Sequence, residues 1–131
     1  MATIRAFTTI EQSRKLAEIL PLESADMCYP KDAFEYNYAK EPVCHYSGIG
    51  LAHPCWSLAA LLNVLPKDEG IGCDISFGYY NGKGEYIEKW LCAFEKEGET
   101  IDDFIFETID GDNPVDACYE MIIKIKELNL L

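Results

Sequence analysis

The sequence predicts one α+β domain over residues 1–131, in which an antiparallel three-stranded meander carries about three helices on one face. Three observations predict this class. Residues 71–109 hold three β-branched or aromatic segments joined by short turns, helical periodicity occurs near both ends of the chain, and a short apolar segment bounded by prolines lies between them. A sheet of four or five strands stays open as an alternative, because residues 34–38 alternate as a strand does and residues 43–46 are a candidate second short strand.

The first helix is predicted over residues 10–20. Its apolar residues repeat at i, i+3 and i+4, and Pro21 ends it. Two registers of an N-terminal capping box are open, one formed by Thr8 with Glu11 and the other by Thr9 with Gln12. Beyond this helix, residues 22–53 carry only weak secondary-structure signals. A turn that leads into an irregular segment is predicted at their start.

A central helix is predicted between Pro54 and Pro66. Pro54 suits the first helical position, where its missing N–H costs nothing, and Pro66 supplies the stop. Only Ser57 and Asn63 are plainly polar between the prolines. A helix that is apolar on every side is normally enclosed, so we expect other elements to surround this one.

Three strands and a last helix follow. The strands are predicted at residues 71–80, 86–94 and 104–109, with Asn81-Gly82 as a type I′ hairpin turn between the first two. Asn113 and Pro114 have the residue types of an N-cap and a first helical position. The predicted buried face of the last helix consists of Val115, Cys118, Met121, Ile122, Ile125 and Leu128.

Residues 67–131 carry most of the negative charge of the chain. They hold six basic and sixteen acidic residues, a net charge of −10, whereas residues 1–66 hold five basic and seven acidic residues, a net charge of −2. Such a surface repels phosphate backbones and anionic lipids, so we expect no direct nucleic-acid or membrane binding. The charge either keeps the protein in solution or recognises a basic protein. The candidate partner-binding residues are Glu95, Glu97, Glu99, Asp102 and Asp103.

The six cysteines are predicted to be reduced, because no secretory signal accompanies them and most lie in apolar segments. The absence of a signal segment and of an apolar run of membrane-spanning length predicts a cytoplasmic protein.

Two histidines and two cysteines, Cys44, His45, His53 and Cys55, lie close together in sequence. Zinc favours these ligands, but no Cys-x-x-Cys spacing occurs, and we expect neither a metal site nor a cofactor. The candidate catalytic residues are Cys55 as a nucleophile at a helix start, with His53 or His45 as its base. No signature or orienting partner accompanies them, so we expect Cys55 to pack in the core.

Four segments carry a resemblance to a known family. They are Thr-Ile-Glu-Gln-Ser at 9–13, Ala-Asp-Met at 25–27, Pro-Cys-Trp-Ser-Leu-Ala-Ala-Leu-Leu at 54–62 and Asp-Ala-Cys-Tyr-Glu-Met at 116–121. In these segments the chain resembles a family of small uncharacterised proteins of gut bacteria, often phage or mobile-element associated. The resemblance implies that genetic context, but no activity, cofactor or site residue.

Together these observations predict a non-catalytic cytoplasmic protein-interaction module with a basic partner. A small Cys/His-dependent enzyme and a metal-binding module are the open alternatives. The oligomeric state stays undetermined by the sequence.

Overall fold

The computed structural model describes residues 5–30, 42 and 52–131. The strands expected at 34–38 and 43–46, together with Cys44 and His45, lie outside these residues. Contacts divide the chain into two compact units, Ala6–Val64 on the one hand and Leu65–Leu131 with Met1–Arg5 on the other. The single domain over residues 1–131 stays a prediction, and each unit is described by itself.

Helix α1 of the first unit spans Ile10–Ala17. The backbone N–H of Gln12 donates to the Thr9 hydroxyl at 3.1 Å, and the N–H of Thr9 donates to the Gln12 side chain at 3.0 Å. Of the two predicted capping boxes, the one on Thr9 is therefore formed. The helix ends at Ala17, three residues earlier than predicted, and continues into a tighter turn in which the N–H of Ile19 donates to the Leu16 carbonyl at 3.0 Å.

Strands β1 (Met27–Pro30) and β2 (Ala52–Cys55) pair antiparallel and place Met27 opposite Cys55. The prediction that Pro54 starts a helix is wrong, because Pro54 lies within β2. A short apolar run is compatible with either a helix or a strand, and its pairing with β1, distant in sequence, decides for the strand. Helix α1 packs against β2.

Helix α2 spans Leu58–Val64 and begins after Ser57. The Ser57 hydroxyl accepts the N–H of Ala60 at 3.2 Å, so Ser57 rather than Pro54 sets the start of the helix. The expectation that this helix is enclosed on every side is wrong, because Ala59 and Asn63 are exposed while Ala60 and Leu61 are buried.

The second unit contains strands β3 (Ile71–Tyr80), β4 (Tyr86–Lys96) and β5 (Ile105–Gly111), which form an antiparallel sheet in the order β3-β4-β5. The predicted α+β class with a three-stranded meander is confirmed. Strands β4 and β5 each extend two residues beyond their predicted ends.

The hairpin between β3 and β4 differs from the predicted type I′ turn. Gly84, not Asn81 or Gly82, has the positive φ, of 77°. The N–H of Gly84 donates to the Asn81 carbonyl, and the N–H of Asn81 donates to the Glu85 carbonyl, both at 3.0 Å. A three-residue hairpin loop usually ends in a left-handed glycine. The left-handed residue is therefore Gly84, two positions after the predicted Gly82.

Helix α3 spans Pro114–Glu127 and packs against β4 and β5. The Asn113 side chain accepts the N–H of Val115, which confirms the predicted N-cap. The predicted buried face is confirmed from Val115 to Ile125, but Leu128 is 37% exposed because the helix ends before it. Within the described ranges, none of the helices has the length and apolar composition needed to cross a membrane.

Candidate protein-binding surface

The sheet of the second unit has one covered and one open face. Along β5 the side chains alternate strictly, with Phe106, Thr108 and Asp110 exposed and the residues between them half-buried. On β4, Cys92 and Phe94 are fully buried, and they lie on the face that helix α3 covers. The opposite face, here called the open face, carries Gly72, Asp74, Ser76, Leu91, Ala93, Glu95, Phe106, Thr108 and Asp110.

Strand register arranges the open face in rows. Gly72 is opposite Glu95, and Glu95 is opposite Phe106, so these three residues form one row across the sheet. The next row consists of Asp74, Ala93 and Thr108. Side chains that are directly opposite lie about 5 Å apart at Cβ, so the two rows place two carboxylates and an aromatic ring around residues with little or no side chain.

A cavity of about 340 Å³ lies on these two rows. The side chains of Asp74, Glu95 and Phe106 border it, and Gly72 and Ala93, whose side chains are a hydrogen atom and a methyl group, lie at its base. A Cβ added to Gly72 would lie only 2.8 Å from Oε1 of Glu95, which shows that the Glu95 carboxylate lies over the glycine. The glycine therefore makes room for the position of this carboxylate.

Two further cavities continue the first one. A cavity of about 220 Å³ shares Gly72 and Glu95 with it and adds Glu97 and Phe104. Another, of about 300 Å³, shares Glu97 and Phe104 and adds Glu99 and Ile101. The three cavities together, here called the acidic trough, follow the end of β4 and the loop before β5.

Exposed apolar side chains accompany the carboxylates of the acidic trough. Ile101 is 91% exposed, Phe106 57% and Phe104 45%. Isolated exposed apolar residues are ordinary, but three neighbours beside one groove are typical of a surface that contacts another molecule.

The five carboxylates predicted to bind a partner are all exposed. Glu95, Glu97 and Glu99 line the acidic trough. Asp102 and Asp103 lie beside it in the 3₁₀ turn Ile101–Asp103, where the Thr100 hydroxyl donates to Asp103 at 3.1 Å. The ion pairs found within the described residues are Arg5 with Asp116 and Lys15 with Glu18, and none of the five takes part in them.

Sequence reasoning missed the residues that complete the acidic trough, which are Gly72, Asp74, Ile101, Phe104 and Phe106. Alternation along β5 was the signal that could have placed Phe106 outward. The contribution of Gly72 depends on which residue of β4 it opposes, and the sequence does not give that register.

The thiol of Cys55, the candidate nucleophile, is not accessible to a substrate. His45 lies outside the described residues, and His53 and Cys55 occupy alternate positions of β2, on one face of the strand. The Cys55 side chain is fully buried, with its Sγ 3.5 Å from the Thr8 hydroxyl oxygen. Burial raises the pKa of the Cys55 thiol above its ordinary 9.0, which is the opposite of an activated nucleophile.

The pKa is also raised at three other thiols, those of Cys28, Cys73 and Cys92. The Cys118 thiol raises the pKa of Cys92 to about 12, and Cys92 in turn raises the pKa of Cys73. Within the described ranges, Cys55, Cys73, Cys92 and Cys118 form no disulfide. Within the same ranges, no group of three or more His, Cys, Asp and Glu side chains has an arrangement that could hold a metal ion.

No family model, curated protein or solved structure matches the chain. The geometry of the acidic trough is therefore the basis for a functional proposal.

Proposed function

We propose that this protein is a non-catalytic cytoplasmic interaction module, encoded by a phage or mobile element, that binds a basic protein through the acidic trough. The observation that carries the proposal is the mixture of exposed apolar and acidic groups in one place. Ile101, Phe104 and Phe106 lie beside the four carboxylates that line the acidic trough, and these have no ion-pair partner within the described part of the chain. The four are Asp74, Glu95, Glu97 and Glu99.

The apolar and acidic groups support binding in different ways. Aromatic side chains at the centre of an interface commonly supply most of its binding energy when water is excluded from them. Charges at the edge mainly speed the encounter and select the partner. An acidic surface therefore favours a basic protein and disfavours nucleic acids and anionic membranes.

The test is the association rate of a protein captured from the native host, measured at low and moderate ionic strength. We expect the rate to fall as salt rises, since salt screens charges beyond roughly 10 Å at 0.1 M. Changing Glu97→Gln, Glu99→Gln and Asp102→Asn should lower the low-salt rate by roughly tenfold, within the range that electrostatic steering produces.

The matched control also removes three negative charges, but at exposed positions outside the acidic trough, through Glu23→Gln, Glu120→Gln and Glu127→Gln. It should leave most of the association rate intact. An association rate that responds neither to salt nor to the first set of changes would refute the proposal, and the acidic residues would then serve solubility alone.

A further inference from the structure

We infer that the cavity floored by Gly72 and Ala93 is an arginine pocket, which accepts one arginine side chain of the basic partner. This inference rests on the proposed function and specifies the chemistry that the acidic trough recognises. It concerns only the 340 Å³ cavity of the open face, not the loop that follows β4.

The two carboxylates of this cavity come from neighbouring strands. Asp74 lies one row away from the pair formed by Gly72 and Glu95, so the two acidic groups face the same space from two sides. Both residues are exposed, and neither is in an ion pair within the described residues. Their hydrogen-bond acceptors are therefore available to an incoming cation.

Phe106 supplies a ring at the third side of the cavity. It is directly opposite Glu95 and 57% exposed. A cation placed over an aromatic face is attracted by the π electrons, and a guanidinium also stacks on the ring while it pairs with carboxylates. An aromatic ring beside two carboxylates therefore favours arginine over the ammonium group of lysine.

The floor of the cavity favours a long side chain over a small ion. The small side chain of Ala93 leaves space next to Phe106, where the methylene groups of an arginine could contact apolar surface while its head reaches Asp74 and Glu95. The two carboxylates of the cavity belong to no group of three or more His, Cys, Asp and Glu side chains that could hold a metal ion within the described residues.

The experiment compares two blocked peptides of equal charge, hexa-arginine and hexa-lysine, as ligands of the full chain at low ionic strength. The wild type should bind hexa-arginine about two- to five-fold more tightly, because a planar guanidinium stacks on the Phe106 ring while it pairs with a carboxylate and an ammonium group does not. Titration calorimetry or fluorescence anisotropy measures both dissociation constants.

Two substitutions should abolish this preference without changing the charge. Gly72→Ala places a methyl group where the Glu95 carboxylate lies, and Phe106→Leu removes the ring but keeps an apolar side chain. The matched controls are Gly82→Ala, whose added Cβ meets no atom within 4 Å, and Phe77→Leu, which replaces another half-exposed ring outside the acidic trough. Thermal unfolding of each variant checks that the fold is retained.

The outcomes separate this inference from the proposed function. Equal, salt-sensitive binding of both peptides by the wild type would refute the arginine pocket and leave the basic-partner proposal standing. A preference that persists in Gly72→Ala and Phe106→Leu, or that disappears in the controls, would also refute the pocket. If neither peptide binds in a salt-dependent way, both proposals fail.

Discussion

The thiol of Cys55 lies near buried hydroxyl groups, with its Sγ 3.5 Å from the hydroxyl oxygen of Thr8. The Thr8 hydroxyl oxygen is 2.7 Å from that of Ser13, and it accepts the backbone N–H of Trp56 at 3.1 Å. The Tyr29 hydroxyl donates to the Thr8 carbonyl at 2.7 Å. Each of these buried groups has a partner, which stabilises the junction between α1 and β2.

This environment predicts slow alkylation of Cys55 by iodoacetamide in the native protein. The thiolate is the reactive form, and because burial raises the pKa of the Cys55 thiol, the native protein contains little thiolate at neutral pH. In denaturant the ordinary pKa returns and the residue is exposed, so modification should be at least about tenfold faster at pH 8. Peptide mass spectrometry measures both rates. Rapid native modification of Cys55 at neutral pH would instead favour the enzyme alternative.

Among the elements, the meander and α3 were predictable because their signals are local. Asn113 and Pro114 start α3 where the sequence indicates, and residues 71–80 form β3 as predicted. Strands β1 and β2 were not predictable in this way. Their pairing joins residues that are distant in sequence, and Ser57 caps α2 only once Pro54 is in a strand.

Three acidic residues of the acidic trough could be predicted from the sequence, but the other residues that line it were not predicted. Glu95, Glu97 and Glu99 stand out in the sequence because acidic residues are dense there. Gly72 and Phe106 join them through the register of three strands, and register depends on the side chains that α3 covers.

The hairpin of β3 and β4 contains a glycine whose substitution should be costly. Gly78 has a φ of 82°, and the Tyr86 ring occupies the space that a Cβ there would fill. Gly78→Ala should destabilise the protein by more than the roughly 1–2 kcal/mol that positive φ alone costs an L-residue, because the ring must also move. Urea unfolding measures the difference.

Gly84→Ala is the control for this prediction, since Gly84 also has a positive φ, of 77°, but an added Cβ there has open space. In a Tyr86→Ala background the two glycine substitutions should cost the same. If Gly78→Ala remained the more costly change in that background, the ring would not be the cause.

At the scale of the whole molecule, a net charge of −12 at pH 7 makes the folded chain repel itself. Most of that repulsion comes from residues 67–131, which carry a net charge of −10. The same carboxylates that are available to a partner therefore lower the stability of the protein without one.

We expect the melting temperature to rise as salt increases from about 10 mM to about 300 mM, because screening shortens the range of the repulsion. The variant with Glu97→Gln, Glu99→Gln and Asp102→Asn should melt higher than the wild type at low salt and respond less to added salt. Scanning calorimetry at both ionic strengths measures the effect. A melting temperature that falls with salt would show that attractive ion pairs outweigh the repulsion.

The two tryptophans of the chain divide between its two units. Trp56 belongs to the first unit and is fully buried, whereas Trp90 belongs to the second and is half-buried, with its ring 5.3 Å from that of Phe77. The indole emission spectrum should therefore combine a blue component from Trp56 with a redder one from Trp90. Each unit thus contains its own intrinsic fluorophore, and the loss of one component can be followed independently of the other.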